Sequence, residues 1–413
     1  MPESSKEISR SRVSSAEAGA ATHWRAQRIA WPLLVALAAS MPLAASHARS
    51  VTRKALPPQI IAYIFPRNAV LQPSEIAAGK LTRINYAFAN IQDGRIVIGS
   101  PVDEANFTTL VGLKQQNPSL QVLVSVGGWL WSGNFSDAAL TKQSRRRFID
   151  SVAAFVDRYK LDGLDIDWEY PGMTGAGNRF RPEDKRNYTL LLKELRGRFD
   201  REQRAVGRPL LLSVAAGSSS DFIAHTEMGR MQRYLDTVNL MAYDYYEPGS
   251  DKISGNHAPL YTDPADPKRA SADQSVQEFA AAGVPPRKIV LGVPFYGHVW
   301  GDVAPTDHGL FQPGAPVPNA FANYGNIVSN MLSNGFTRYW DAAASVPYLY
   351  SAQKREFVSY EDTMSLALKC AYVRRKGLAG VMFWEYTGDP TGALLSTINT
   401  AFYGNGAGAG GGR

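Results

Sequence analysis

Past residue 56 the chain alternates short β-branched and aromatic runs with longer segments whose apolar positions recur every three or four residues. The runs at 60–65, 83–89, 122–126, 163–168, 210–215, 238–242, 289–293 and 380–383 have the length and residue types of buried strands. Between them, Phe148, Val152, Phe155, Val156 and Tyr159 form one apolar stripe on a helix predicted over 144–159. Leu191, Leu195 and Phe199 do the same over 184–199, entered at Pro182, and Val276, Phe279 and Ala280 mark a helix after Ser271. Strand followed by helix, repeated through eight strands, predicts parallel pairing with right-handed crossovers. The α/β architecture that satisfies this count is a closed (β/α)8 TIM barrel.

One stretch breaks the rhythm. Residues 299–361, rich in Pro, Gly, Tyr and Trp, separate the seventh strand from the helix leading to the eighth. A structureless loop of that length is foreign to a compact domain, so a small α+β insertion subdomain is expected after the seventh strand, at the C-terminal rim. The expected organisation is a leader over 1–48, a barrel over 57–298 and 362–402, the insertion over 299–361, and a Gly-rich tail over 404–413 without order.

Composition narrows the classes. With 45% hydrophobic and 20% charged residues, the 413-residue chain can bury a large core. The net charge of +7 is scattered, and its clusters, Arg145-Arg146-Arg147 and Arg374-Arg375-Lys376, fall on helical segments, so solvated helix faces are expected and no nucleic-acid partner. Arg25 and Arg28 precede an apolar run over 31–45 and the small residues Ala44-Ala45-Ser46-His47-Ala48, the pattern of an export signal cut near Ala48. That run contains Pro32 and Pro42 and is shorter than the roughly 20 residues a spanning helix needs. The expectation is a secreted or periplasmic monomer with no stable membrane insertion once the signal is removed. The single cysteine, Cys370, excludes an internal disulfide, and its apolar helix face suggests a packed thiol. No metal and no cofactor are expected.

The chemistry concentrates in Leu161-Asp162-Gly163-Leu164-Asp165-Ile166-Asp167-Trp168-Glu169-Tyr170-Pro171. Side chains alternate along a strand, so Asp165, Asp167 and Glu169 share one face while Leu164, Ile166 and Trp168 take the other. The apolar set suits the helix-facing side, which sends the carboxylates into the barrel and leaves Glu169 last, at the C-terminal mouth. Alternate strand residues stand roughly 6.5–7 Å apart, near enough in a low-dielectric interior for three anions to raise one another's pKa values. A carboxylic acid that keeps its proton near neutral pH beside a cleft is what general acid catalysis requires. The plainer alternative is a solvated acidic strand face. A calcium loop also has Asp-x-Asp spacing but needs a glycine where Tyr170 stands.

The series Asp162-x-x-Asp165-x-Asp167-x-Glu169 resembles the fourth-strand signature of the family 18 glycoside hydrolases, the chitinases. Further segments resemble that family in the right order. Ser125-Val126-Gly127-Gly128-Trp129 is similar to its third-strand motif, Met241-Ala242-Tyr243-Asp244-Tyr245 to the sixth, Gly292-Val293-Pro294-Phe295-Tyr296-Gly297 to the seventh, and Val381-Met382-Phe383-Trp384-Glu385 to the eighth. The resemblance spans 60–402. It implies retaining hydrolysis of chitin or chitooligosaccharides, in which Glu169 protonates the glycosidic oxygen and the substrate's own acetamido oxygen attacks, outside the two-carboxylate scheme. It further implies that Asp167 binds the acetamido N–H, that Asp165 shares a proton with Asp167, and that Tyr243 and Asp244 hold the acetamido group from the other side. Met241, Trp384, Trp129, Tyr296, Tyr63 and Phe88 would line subsite −1, and Trp131, Trp300 and Trp340 could extend the cleft, with packing inside the inserted subdomain the equal alternative for Trp340. Two other readings stay open: a non-catalytic chitin-binding lectin, and action on peptidoglycan or N-glycan linkages.

Two departures stand out. His298 occupies a position where many members carry Arg, which would remove a bidentate donor to the sugar or to Asp244. Tyr245-Tyr246-Glu247-Pro248 also differs from the small-residue and Trp pattern of many members, so the positive subsites are expected to be reshaped. The insertion is expected to wall a deep cleft and favour chain ends.

Overall fold

The computed structural model describes residues 57–404 apart from Phe321, so the segment read as a leader and nearly all of the tail lie outside the described residues. Its strands, in chain order, are β1 (Gln59–Ile64), β2 (Arg83–Gln92), β3 (Arg95–Val97), β4 (Gln121–Gly127), β5 (Gly163–Asp167), β6 (Leu211–Gly217) and β7 (Thr237–Met241). They continue with β8 (Ile289–Pro294), β9 (His298–Gly301), β10 (Ala315–Pro316), β11 (Thr337–Asp341), β12 (Val346–Ser351), β13 (Glu356–Ser359) and β14 (Gly380–Trp384). The parallel strands run round the ring as β1, β2, β4, β5, β6, β7, β8 and β14, and β14 pairs again with β1. This is the closed (β/α)8 barrel that the strand count predicts.

All eight predicted strands are present, with ends moved by a few residues. The largest change is at β2, which continues to Gln92 and folds back into β3 through Asp93-Gly94, both at positive φ. An Asp-Gly pair suits a tight two-residue hairpin.

Alternation divides each barrel strand between two environments. Ile84, Val122, Leu164, Ile166, Leu212, Val214 and Leu240 face outward and merge with helix residues such as Phe148, Val152, Leu191 and Leu195 in the main core. Inside the barrel, Ile61, Tyr63, Val290 and Met382 form an apolar plug. The buried polar set Arg83, Asn85, Ser125, Asp165, Asp167, Ser213 and Asn239 comes from the inward positions of β2, β4, β5, β6 and β7. Cys370 is a packed thiol, with burial pushing it up to about 12.

The long gap folds as a second, antiparallel sheet in the order β10-β9-β13-β12-β11. Its core is Tyr246, Trp300, Val303, Tyr348, Tyr350 and Phe357. Trp300, read as a possible cleft extension, is therefore a core residue: β9 turns it toward Phe357, 5.8 Å between rings. Trp340 lies beneath the Arg338 guanidinium at 5.3 Å.

Close strand approach decides where glycine is required. Gly163 opens β5, and a Cβ there would sit 2.0 Å from the Leu211 carbonyl oxygen on β6; Gly380 opens β14 and meets Gln59 on β1 at 2.1 Å in the same way. Gly163→Ala should therefore destabilise the barrel by about 1–3 kcal/mol through overpacking. Gly112→Ala, in open space at the end of the helix Asp103–Gly112, should be neutral or stabilising by about 0.5–1 kcal/mol. Urea unfolding of both variants checks this, and equal midpoints would refute it.

Candidate active site

The acids of β5 occupy three depths. Asp165, at the bottom, is fully buried, and both its oxygens accept hydrogen bonds from neighbouring strands. Tyr63 Oη and Ser125 Oγ donate to Oδ2, each at 2.8 Å, while Ser213 Oγ at 2.5 Å and Asn239 Nδ2 at 3.1 Å donate to Oδ1. Arg83, also fully buried, donates to Thr237 and to Asn239 Oδ1, and the Asp165 charge acts on it. The acid face thus has a cation beneath it, supplied by β2 rather than by its own strand.

Asp167 comes next. It is buried, and its Oδ1 has no hydrogen-bond partner. Burial, then the charges of Glu169 and Asp165, push its carboxyl well above the usual range. Glu169 stands at the mouth, half-buried, with its backbone clamped on both sides: its N–H donates to Ser132 Oγ at 2.9 Å and its carbonyl accepts from Asn178 Nδ2 at 2.7 Å. Burial raises Glu169 to about 7, against hydrogen bonds from Asp167 and Tyr170 and with the help of the Asp244 and Glu247 charges. The expected elevation is present, but its leading cause is desolvation and not mutual repulsion along the strand. Asp165 faces four donors, and none of them comes from Asp167. Trp168 points outward and stacks on Phe135 at 5.2 Å. Asp162 sits at the opposite end of the strand, held by Lys114 at 2.5 Å and Arg208 at 2.8 Å.

Above the acids opens a cleft of about 800 Å³, lined by Tyr63, Phe88, Gly127, Trp129, Asp167, Glu169, Met241, Tyr243, Asp244, Tyr296 and Trp384. Trp384, at the end of β14, lies 5.5 Å from Phe88 and 5.9 Å from Phe65, nearly parallel to both. Trp129 is 51% exposed and Leu130 76%, at the rim. Ser125 does not reach the cleft and acts below it on Asp165. Gly128 admits the Phe88 ring, which a Cβ would meet at 2.7 Å. Trp131 joins the lining, as do residues the sequence reading did not single out: Phe65, Tyr170, Met173 and Lys268. Tyr170 was signalled by its place directly after Glu169.

The second electrostatic centre is Asp244, just past β7. Its Oδ1 accepts from Tyr296 Oη at 2.6 Å, lies 2.8 Å from His298 Nε2 and 3.5 Å from His257 Nδ1. Burial opposes the charge on Asp244, but His257 and His298 outweigh it and hold the carboxyl well below its usual value. His257 is fully buried, and burial pushes it down to about 4. His298 thus does supply a contact to Asp244 where an arginine was expected to be missed, in company with a histidine that sequence reasoning did not find. Of the divergent segment after Asp244, Tyr246 is buried in the insertion core and Glu247 lines the cleft.

Among the described residues no helix is long and apolar enough to cross a membrane. The profile of the glycosyl hydrolases family 18 matches residues 59–389. Chitinase A1 of Niallia circulans is 36% identical over 401 residues, covering 79% of this chain; the chain spans 57% of the length of that relative. A solved family 18 N-acetylglucosaminidase from Paenibacillus barengoltzii is 41% identical with a TM-score of 0.76, covering 83% of this chain and 99% of that one. A class V chitinase from Nicotiana tobaccum, solved in complex with NAG4, is 29% identical with a TM-score of 0.75, covering 84% and 99%. With its acid series at the mouth of a closed barrel and a family match over most of its length, the chain belongs to the family 18 glycoside hydrolases, the family of the chitinases.

Proposed function

We propose that this chain hydrolyses β-1,4-linked N-acetylglucosamine chains, chitin or chitooligosaccharides, with retention and with the substrate's acetamido group as nucleophile. The observation that carries the reading is Glu169, raised by burial to about 7 at the mouth of an aromatic cleft and directly above Asp167. A sugar in subsite −1 lays its apolar face on Trp384. Glu169 gives its proton to the glycosidic oxygen as the bond to the anomeric carbon breaks, and the acetamido oxygen closes on that carbon to form an oxazolinium ion. Asp167, whose buried Oδ1 lacks a partner, accepts the acetamido N–H and stabilises the positive charge. Tyr243 and Asp244 steady the acetamido group from the far side. Glu169, now a carboxylate, takes a proton from the water that opens the ring, which restores the acid.

A second reading is favoured by the 41% identical relative described as an N-acetylglucosaminidase: release of single sugars from chain ends. The expected wall from the insertion does not support it, since no residue of 299–361 is among those lining the cleft. Monomer as the first product from a tetramer, with little fall in viscosity of a soluble chitin derivative, supports it; a rapid viscosity drop supports internal cutting. A lectin is disfavoured because Glu169 is retained. Export through the segment ending near Ala48 fits an extracellular polymer as substrate.

Glu169→Gln should lower kcat on a fluorogenic chitobioside by about 10²–10⁴, the usual worth of a general acid, with KM little changed; equal rates would refute the assignment. The pH profile follows from the same group. The acid must carry its proton, so kcat/KM should fall as pH rises through about 7, the value to which burial lifts Glu169. A profile flat to pH 9, or one already falling at the pH of an ordinary carboxyl, would contradict it.

A further inference from the structure

Asp244, His257 and His298 bring three potential ligand atoms within 4.8 Å of one another. They come from separate segments: Asp244 follows β7, His257 lies in the long connection after it, and His298 opens β9 of the inserted sheet. Ligand atoms round a tetrahedral zinc ion, at roughly 2.0–2.1 Å from the metal, stand about 3.3–3.4 Å apart. The 3.5 Å separation of His257 Nδ1 from Asp244 Oδ1 already fits, and the 2.8 Å separation of His298 Nε2 from that oxygen needs to open by about half an ångström.

His257 supplies an independent observation. Its ring is wholly buried, yet Nε2 has no hydrogen-bond partner and Nδ1 has only the 3.5 Å approach to Asp244 Oδ1, too loose for a good bond. A buried imidazole ordinarily satisfies both nitrogens, one as donor and one as acceptor. Its surroundings hold it in place: the backbone N–H donates to Ser359 Oγ at 2.9 Å, its carbonyl accepts from the Tyr245 N–H, and Lys369 Nζ donates to the next carbonyl, Ala258, at 2.6 Å. The ring packs 4.8 Å from His298 and 5.3 Å from Tyr296. An imidazole fixed beside a carboxylate and a second imidazole, with a nitrogen to spare, is short of one ligand.

We propose that Asp244, His257 and His298 bind one divalent transition-metal ion of the zinc class, and that the ion, by taking Asp244 out of the substrate site, reversibly inhibits the enzyme. Two imidazoles and one carboxylate suit zinc and its neighbours, whereas magnesium and calcium favour all-oxygen sets. Asp244 borders the cleft, which gives an ion a route in from solvent. The binding site stands on its own geometry; the inhibition rests on the role given to Asp244 above.

Calorimetric titration of tag-free full-length chain with Zn²⁺ tests the site directly. One ion per chain is expected, with no matching heat from Mg²⁺. His298→Gln, which can still donate to Asp244 but offers no imidazole, and His257→Gln should each weaken zinc by at least about tenfold, with thermal melts showing that both variants fold. His308→Ala, at a histidine stacked on Tyr339 in the insertion, should leave zinc affinity unchanged. Zinc affinity equal in wild type and His298→Gln, or no binding by wild type, overturns the site. Hydrolysis slowed by zinc and restored by a chelator supports the inhibition; one ion bound at this site with hydrolysis undisturbed overturns the inhibition and leaves the site standing. If no chitooligosaccharide is cleaved at all, the functional reading fails while the titration still decides the metal.

Discussion

Three carboxylates on one strand inside a barrel are a severe desolvation problem, and the site is organised around how each depth solves it. An ionised carboxylate in a medium of low dielectric is costly unless donors or counter-charges replace water. At the bottom, Asp165 has four donors and the buried Arg83 nearby. In the middle, Asp167 has an oxygen with no donor, and its carboxyl responds to burial by holding its proton more tightly. At the mouth, Glu169 is half-buried, and burial raises it to about 7. Donors that closure of the ring brings to Asp165, and that Asp167 Oδ1 lacks, distinguish acids of nearly equal burial.

Much of this was legible in the sequence because parallel strands covered on both faces read as short runs rich in apolar residues, a signature clear in strands such as 122–126 and 289–293. Period-two alternation through 163–169 was enough to put three acids on one face and Trp168 on the other. What alternation cannot convey is who stands across the barrel. Arg83 is 82 positions from Asp165 in the chain, and Asn239 is 74; their approach is set by closure of the ring, which brings inward residues of β2 and β7 over β5. Repulsion along the strand looked like the leading cause of a raised pKa only while these donors and the depth of burial were out of view.

The inserted sheet was harder to read for a different reason. Its strands are short and antiparallel, and Tyr and Trp are common in it, so neither period nor composition says which aromatic faces the cleft. Trp300 therefore looked like a platform and is a core residue, packed with Tyr246 from the divergent segment after β7. The same partnership explains that divergence: Tyr246 is spent on the insertion's core, and its hydroxyl donates to Asp266. Residues that looked like altered sugar contacts are thus partly the joint between sheet and barrel.

That joint also fixes the electrostatics of Asp244. Lys369, on the helix Thr363–Lys376, is wholly buried and pairs with buried Glu361 just past β13, while donating to Ala258 beside His257. Glu361 also accepts from Ser365 Oγ at 2.6 Å. A buried pair of this kind adds little net stability, but removing one partner leaves an uncompensated charge, so its geometry is rigidly enforced. Here the pair ties the end of the insertion, the connection carrying His257 and the helix that leads into β14 to one point. His298 consequently reaches Asp244 from the inserted sheet and His257 from the connection after β7, with the ion pair beside Ala258 holding the two together. A planar arginine could contact Asp244 from a single side chain; two imidazoles do so only because this joint holds both of them against it.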